Sequence, residues 1–357
     1  MTQDKVEKYP SIDVLKGIGA LIIAFIFHYK HFGQTSPFAN LFLFSDNYGY
    51  LLVDLFFILS GFGIAAGYQH KIQNKECSFS FYIKRRFTKL YPPHFFTLIY
   101  VTILQILIFS ECDSFFIYKN NDISHFFMNL LCIQNGLLGT EYSFNGPAWY
   151  LSICTFCYIF FFFIFFHTTN TKALIYRCIL TILIGGFFIV VPSLPIINSQ
   201  MGRGITGFAL GIIIFNFRNC KYINRISNIS LAVLILGYII LRLNWEKFSD
   251  TPIFLLQYIS SFIIAPLIAI CCFNKLANKI CNKKTLLFFG KISLGIYLWH
   301  FPIQCTLKYL DDTFSLNIQY SSTEAWLLYV ALTIGIAYLY HGFSNKIIKS
   351  NLIPPKK

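Results

Sequence analysis

Acidic residues are scarce in this chain, which has 15 Asp and Glu among its 357 residues against 29 Lys and Arg. Charged residues of both signs make up only 12% of the sequence, whereas soluble domains carry about 25%. Hydrophobic residues reach 56%, and phenylalanine alone occurs 41 times. A chain with so few polar residues cannot cover a water-facing globule, so a soluble domain is excluded. The apolar length is instead sufficient to cross a bilayer many times.

The sequence also lacks the signals of a disulfide framework, a metal site and internal repeats. Most of its 11 cysteines lie within or at the ends of apolar runs, where a free thiol acts as a small hydrophobic side chain. Cys154 and Cys157 have a zinc-like spacing, but no second pair accompanies them. We therefore expect no bound metal and one membrane-embedded domain over residues 1–357.

Apolar runs of about 20 residues predict an all-α, polytopic membrane protein. A short apolar segment at 123–135 is interpreted as a re-entrant or interfacial piece. We expect about ten transmembrane helices, near residues 12–29, 48–68, 91–110, 146–167, 173–191, 204–217, 226–243, 252–273, 286–307 and 323–343.

The basic residues predict the orientation of these helices. With both termini in the cytoplasm, 23 of the 29 Lys and Arg lie on the inner side, as the positive-inside rule requires. The net charge of +14 then reflects topology and not binding to nucleic acid. We expect a multi-pass protein of the cytoplasmic (inner) membrane, surrounded by membrane lipid. The six basic residues left outside are Lys30, Lys119, Arg203, Arg242, Lys247 and Lys308.

Ionisable side chains within the spans are candidate functional residues, because each costs about 2.5–3.5 kcal/mol on insertion scales. The first span carries Lys16 near its start and His28 near its outer end, and His31 follows one turn later. Alternatively, Lys16 is an interfacial anchor and His28 only marks the outer boundary. The second span contains Asp54, followed by Ser60.

Three further segments carry polar residues at predicted helix ends. Arg85, Arg86 and Lys89, in FYIKRRFTKLYPP, form either a phosphate clamp or a plain positive-inside signal. The outer segment NGPAWYLS begins a helix with Asn145, Trp149 and Ser152, and its alternative interpretation is a membrane-belt tryptophan after a helix-initiating proline. SLGIYLWHFP places Tyr297 and His300 before a proline kink, where a structural histidine is the alternative.

Together these segments resemble the integral-membrane acyltransferase-three family, which acylates sugars on surface polysaccharides. The matching stretches are IDVLKGIGALIIAFIFHY, VDLFFILSGF, YIKRRFTKLYP, NGPAWYLS and ISLGIYLWHFP, in the family's order. The resemblance is greatest to members that act on exopolysaccharides, capsules and O-antigens. It implies a membrane O-acyltransferase with no permanently bound cofactor, which uses cytosolic acyl-CoA as co-substrate. Its acceptor is a sugar hydroxyl of a polysaccharide or of a lipid-linked precursor, and acetyl is the expected group.

The resemblance also implies roles for individual residues. The family's basic residue and histidine of the first helix map onto Lys16 and His28, and His28, with His31 as the alternative, is the expected general base. Asp54 is expected to orient this base or to hold Lys16. On the donor side we expect Arg85, Arg86, Lys89 and Ser60, and on the acceptor side Asn145, Trp149, Ser152, Tyr297 and His300. Direct transfer and an acyl-histidine intermediate both stay open.

Three departures from the family pattern bear on these roles. Eleven residues separate Lys16 from His28, where the family has ten and usually Arg in place of Lys. Either the helix widens locally, as π-bulges do at functional sites, or the two side chains do not share a face. Cys154 and Thr155 stand where many members carry Glu. The acidic residue often found near the end of the last helix is missing from YHGFSNKI.

A transporter or flippase for a lipid-linked sugar is the main alternative function. Such proteins show internal repeats and broken midplane helices, and no repeat is visible here. A glycosyltransferase or ligase is a second alternative, which would normally need large outer loops with carboxylates. The sequence contains no signal for an oligomeric state.

Overall fold

The computed structural model of the protein describes residues 9–42, 48–136, 141–191, 197–243 and 253–352. Within these residues the regular structure is helical, and no strand occurs. The α-helices are α1 (Pro10–Ile22), α2 (Leu52–Gln73), α3 (Phe79–Cys112), α4 (Ile123–Leu130), α5 (Trp149–Phe166), α6 (Thr171–Val190), α7 (Ser199–Asn216), α8 (Ile223–Leu243), α9 (Ile253–Phe273), α10 (Lys275–Cys281), α11 (Lys284–Phe314) and α12 (Thr323–Leu352).

Eight helices in the described part of the chain are long and apolar enough to cross a membrane. The predicted all-α polytopic fold is therefore confirmed. Helices α7 and α8, which correspond to the predicted spans 204–217 and 226–243, are not among the eight, so the count of ten stays a prediction. The cytoplasmic position of the termini is likewise still a prediction. The eight spans are Pro10–Phe32, Gly49–Gln73, Phe79–Cys112, Gly146–Phe166, Thr171–Val190, Leu255–Phe273, Lys284–Phe314 and Thr323–Ser344.

The basic segment before the third span differs from its prediction. It was expected in a loop over 69–90, but α3 already begins at Phe79 and carries Pro92 and Pro93 in its interior. Proline is favoured at the start of a helix and disfavoured in its interior. Here the helix continues through them, and the Thr97 hydroxyl donates to the Pro93 carbonyl at 2.9 Å. The cluster of Arg85, Arg86 and Lys89 therefore lies on a helix, which fixes its spacing.

The described residues divide into two compact units. Unit 1 draws its residues from 1–17, 51–81 and 153–290, and unit 2 from 18–50, 82–152 and 291–357. Helices α1, α3, α5 and α11 each contribute residues to both units. The prediction of a single domain over 1–357 stays a prediction.

Unit 1 is built on close contact between helix backbones. A Cβ atom at Gly61 of α2 would overlap the backbone of Phe208 in α7, and one at Gly211 of α7 would overlap the Ile58 carbonyl. Small residues of this kind let membrane helices approach one another without side chains between them. The glycines therefore bring α2 against α7, and with it the polar residues that both helices carry.

Unit 2 has an apolar core between α3, α11 and the segment before α5. The short helix α4 occupies part of the segment interpreted as re-entrant or interfacial, and Asp122 caps it by accepting from the His125 backbone N–H at 2.9 Å. The buried core is formed by Leu98, Val101, Leu104, Ile108, Phe144, Phe301 and Cys305.

Candidate active site

The first span changes its helical geometry just before its histidines. It is α-helical over Pro10–Ile22, a π-helix over Ile23–Phe27 and a 3₁₀-helix over His28–Phe32. Gly33 ends it with a left-handed φ of 74°, which glycine adopts without strain. A π-turn holds about one residue more than an α-turn. The helix therefore widens locally between Lys16 and His28, the first of the two alternatives that the sequence left open.

Side chains from α12 donate hydrogen bonds to backbone carbonyls of the π-helix. The Tyr329 hydroxyl donates to the Ala24 carbonyl at 3.1 Å, and the Trp326 indole N–H donates to the Phe25 carbonyl at 2.9 Å. Buried backbone carbonyls rarely lack a donor, because an unmade hydrogen bond is costly inside a protein. The widened turn is therefore a packed feature of unit 2, held by specific neighbours.

Three imidazole rings meet at the end of this span. Nδ1 of His28 lies 2.7 Å from Nε2 of His300, and the two ring planes are within 17° of each other, with centroids 4.9 Å apart. The His31 ring stacks on the ring of His28, and the two centroids are 4.7 Å apart. Gln304 joins them, since its amide donates to the His28 carbonyl at 2.7 Å and its oxygen lies 3.0 Å from Nδ1 of His31. Nδ1 of His300 lies 2.8 Å from the Tyr297 carbonyl.

The helix α11 explains why these groups converge. Tyr297, His300 and Gln304 are separated by three and four residues, which places them on one face of a helix. His300 and Gln304 are fully buried, whereas His28 and His31 keep part of their surface exposed. The structure therefore brings His28, His31 and His300, predicted separately from the sequence, into one cluster. Gln304 was missed, although its position one turn after His300 was the signal for it.

A row of aromatic rings leads away from the histidine cluster. Tyr118 packs edge-on against His31 at 5.9 Å, Tyr142 follows at 6.1 Å from Tyr118, and Trp149 lies 6.2 Å from Tyr142. Tyr118 lies against Gly146, where a Cβ atom would overlap its ring. Tyr142 is 39% exposed, so the row has an accessible edge. Burial raises the pKa of the Tyr118 hydroxyl, which therefore stays protonated. Trp149 was predicted, while Tyr118 and Tyr142 stand in loops and carried no pattern.

Three other residues expected on the acceptor side are buried and bond to the backbone. Asn145 donates to the Leu298 carbonyl at 3.0 Å, and the Tyr297 hydroxyl donates to the Pro147 carbonyl at 2.8 Å. The Ser152 hydroxyl donates to a backbone carbonyl at 2.8 Å. The first two bonds fasten the segment before α5 to α11 beside the histidine cluster, and the Ser152 bond ties α5 to the Asn135 carbonyl. A direct contact of these side chains with a sugar stays a prediction.

Asp54 lies at the centre of a polar cluster in unit 1. Its side chain is fully buried and accepts from Nε of Arg203 at 2.8 Å, while its second oxygen accepts from the Ser260 hydroxyl. Arg203 is itself 1% exposed and also donates to Gln200 at 2.9 Å. Buried charges persist in proteins when each has a partner of opposite sign and its hydrogen bonds are satisfied. This arrangement meets both conditions.

Two expectations change with this pairing. Asp54 was expected to orient the base or to hold Lys16, but both of its carboxylate oxygens are engaged by Arg203 and Ser260. Arg203 was counted among the outer loop cations, but it lies inside α7, because the buried carboxylate compensates its charge. An unmatched carboxylate in a predicted span was itself the signal that a cation had to be found. Lys16 lies 3.9 Å from Asp13, and both side chains are partly exposed.

The basic residues of α3 present an accessible cationic surface. Arg85 and Lys89, four residues apart, are exposed on one face of the helix. Arg86 is partly buried, and its guanidinium carbon lies 5.7 Å from the centre of the Tyr82 ring. Ser60, on α2 in unit 1, is partly buried. Binding of a donor by any of these residues stays a prediction.

Comparison with known proteins places these features in a family. A family model described as "Acyltransferase domain" matches residues 9–342. The chain is 35% identical over 92 residues to "Protein 2 in picA locus" of Rhizobium radiobacter, a match that covers 26% of this chain and 43% of that protein. No solved structure matches the chain. Because the family model covers nearly its whole length, this multi-pass membrane protein belongs to the acyltransferase domain family.

Proposed function

We propose that the protein transfers an acyl group, acetyl in the first instance, from cytosolic acyl-CoA to a sugar hydroxyl. The acceptor is a surface polysaccharide or its lipid-linked precursor, and the enzyme resides in the inner membrane. The observation that supports this proposal best is the hydrogen-bonded pair of His28 and His300 at the start of an aromatic row. An imidazole supplies a base at neutral pH, and aromatic faces suit sugar rings.

In the proposed reaction His28 is the general base. It takes the proton of the attacking sugar hydroxyl as the oxygen forms a bond to the thioester carbonyl carbon. The tetrahedral intermediate then collapses with cleavage of the carbon–sulfur bond, and the imidazolium returns the proton to the departing CoA thiolate. Sugar ester and CoA are the products, and the enzyme is restored.

His28 is preferred to His31 because of its surroundings. It lies at the end of the π-helix and between two other imidazoles, and its Nδ1 has a buried histidine as partner. His31 is nearer to the aromatic row and is held by Gln304. We assign the proton transfer to His28 and the outer wall of the site to His31, Tyr118, Tyr142 and Trp149.

The donor is proposed to bind through its phosphates at α3. Arg85 and Lys89 are exposed on one face and Arg86 is supported by Tyr82, so three cations stand within about one helical turn. Guanidinium groups pair with phosphate oxygens in bidentate geometry, which favours a nucleotide over a simple anion.

The test is acyl transfer from labelled acetyl-CoA to isolated surface polysaccharide, measured for His28→Ala and His31→Ala with matched expression. We expect His28→Ala to lose about 10²–10⁴-fold in rate, the usual contribution of general-base catalysis, and His31→Ala to lose less. His167→Ala is the control, because His167 is an exposed histidine of unit 1. If His28→Ala is fully active and His31→Ala is inactive, the general base is His31. Full activity in both overturns the proposed base.

The acceptor is tested separately by mass spectrometry of the surface polysaccharide from cells with and without the protein. The proposal requires a mass difference of one acyl group per modified sugar. If the polysaccharide disappears from the surface while its acylation is unchanged, a transport function is favoured instead.

A further inference from the structure

We propose that His300 is a positioning residue, which holds His28 in the tautomer with hydrogen on Nδ1 and so leaves Nε2 as the proton-accepting nitrogen. The inference rests on the proposed role of His28 as the base. It concerns a contact between two rings that are 272 residues apart in the chain and 2.7 Å apart in space.

The hydrogen-bond chain starts from a group whose role is fixed. The Tyr297 carbonyl can only accept, so the nitrogen 2.8 Å away, Nδ1 of His300, carries the hydrogen. In a neutral imidazole the other nitrogen is then an acceptor, so Nε2 of His300 offers a lone pair. The atom facing it, Nδ1 of His28, must donate. A neutral His28 therefore has its free lone pair on Nε2.

The opposite arrangement leaves a repulsive contact. If His28 carried its hydrogen on Nε2, its Nδ1 would need a donor, and Nε2 of His300 would have to carry one. In a neutral His300 the lone pair of Nδ1 would then point at the Tyr297 carbonyl across 2.8 Å. A doubly protonated His300 would place a cation at a fully buried position, and the hydrogen bonds of the described residues bring no carboxylate to either ring.

Gln304 gives an independent check of this pattern. Its amide nitrogen donates to the His28 carbonyl at 2.7 Å, which assigns the nitrogen and oxygen ends of the side chain. The oxygen end therefore faces Nδ1 of His31, which must donate across 3.0 Å. Both partly exposed histidines thus use Nδ1 to bond to α11 and keep Nε2 for another molecule. Each donor in the network meets an acceptor.

Tautomer control matters because an unconstrained neutral histidine favours hydrogen on Nε2. Without an acceptor for Nδ1, the nitrogen assigned to the substrate would mostly carry a proton and could not take another. After proton transfer, the imidazolium keeps its Nδ1–H bond to His300, and this bond becomes charge-assisted and stronger. His300 accepts throughout and does not need to change its own protonation.

Two substitutions of His300 separate hydrogen bonding from bulk. In His300→Gln the amide oxygen can take the place of Nε2 and accept from His28, whereas His300→Leu removes the acceptor. We expect His300→Gln to stay within about tenfold of the native kcat. His300→Leu should lose about 10²–10⁴-fold, the contribution of the base it disables, with an unchanged KM for acetyl-CoA. His167→Leu, the same change at an exposed position, should match the native protein.

Nitrogen NMR of histidine-labelled protein in detergent reads the tautomer directly. The His28 signals are assigned by their loss in His28→Gln. We expect hydrogen on Nδ1 and a bare Nε2 for His28 in the native protein and in His300→Gln, and the reverse in His300→Leu. If His300→Leu does not fold, the other two spectra decide. Hydrogen on Nε2 of His28 in the native protein overturns the proposal.

This spectrum does not depend on catalysis, so the two proposals fail separately. The predicted tautomer together with an active His28→Ala would refute the base and leave the positioning contact in place. Suppose instead that His28→Ala is inactive and that His28 has the same tautomer in the native protein and in His300→Leu. His28 would then remain the general base, and the positioning role of His300 would be refuted. A purely structural His300 would lower stability in both His300 variants without changing the His28 tautomer.

Discussion

The two units stabilise their buried polar groups in different ways. Unit 1 pairs full charges, Asp54 with Arg203, and closes the pair with Ser260 and Gln200. Unit 2 uses imidazoles, an amide and backbone carbonyls around His28. In the first cluster both carboxylate oxygens are engaged, so the pair suits a structural role. In the second cluster, His28 and His31 each use Nδ1 for a hydrogen bond to α11, and each keeps Nε2 for the proposed reaction.

Breaking the charge pair of unit 1 should have the largest effect on stability. Asp54→Ala leaves Arg203 buried without its carboxylate, and removal of one partner of such a pair costs about 3–5 kcal/mol. The free energy of unfolding in detergent measures this loss. The double variant Asp54→Ala/Arg203→Met should recover most of it, because no unpaired charge remains. Native stability in the single variant would show that water reaches the pair.

Substitutions in the basic surface formed by Arg85, Arg86 and Lys89 should have a smaller effect, and only on the binding of acetyl-CoA. Arg85→Ala and Arg86→Ala should each weaken acetyl-CoA binding by about 1.5–3 kcal/mol, since each removes a charge-assisted contact to phosphate. Calorimetry with the detergent-solubilised protein gives the affinities. Lys71→Ala, at an exposed basic position on α2, serves as the control. Unchanged affinity in the double variant Arg85→Ala/Arg86→Ala would show that the cluster does not bind the donor and serves only as a positive-inside signal.

Removing the hydrogen bonds that α12 donates to the π-helix should have a still smaller effect on stability. Tyr329→Phe removes the donor to the Ala24 carbonyl and Trp326→Phe the donor to the Phe25 carbonyl, each worth about 1 kcal/mol. We expect both variants to fold with slightly lower thermal stability. Their kcat should fall more than their stability suggests, because the widened turn positions His28. Equal losses in a variant at exposed Tyr338 of the same helix would argue against a specific role.

Native thiols test the predicted orientation without altering the fold. Cys112 is exposed at the end of α3, where the outer side is predicted, so an impermeant maleimide should label it on intact cells. Cys132 is expected on the same side, but burial raises its pKa to about 12, so too little thiolate forms for rapid reaction. Cys220, near the basic segment 218–225 of unit 1, should react only after permeabilisation. Labelling of Cys220 before Cys112 would reverse the orientation.

Hydropathy predicted the membrane fold because it averages over 20 residues, and most span positions followed from it. It could not predict which helix faces meet. His28 and His300 were both singled out as polar residues in apolar surroundings, but their contact depends on packing between segments 272 residues apart. Arg203 was missed because a cation near a predicted helix start resembles a loop residue until its buried carboxylate is known. Tyr118 and Tyr142 were missed because single aromatic residues in loops carry no periodicity.

The π-turn at Ile23–Phe27 gives a membrane helix room for one residue more than an α-helical turn of the same height holds. The π-helix holds about one residue more than an α-turn, and Trp326 and Tyr329 of α12 donate to its carbonyls immediately before the histidine cluster. A search for relatives that demands a constant count between the basic residue and the histidine would therefore discard chains of this kind. A search that permits one extra residue, provided that the last helix supplies aromatic donors such as Trp326 and Tyr329, would retain them.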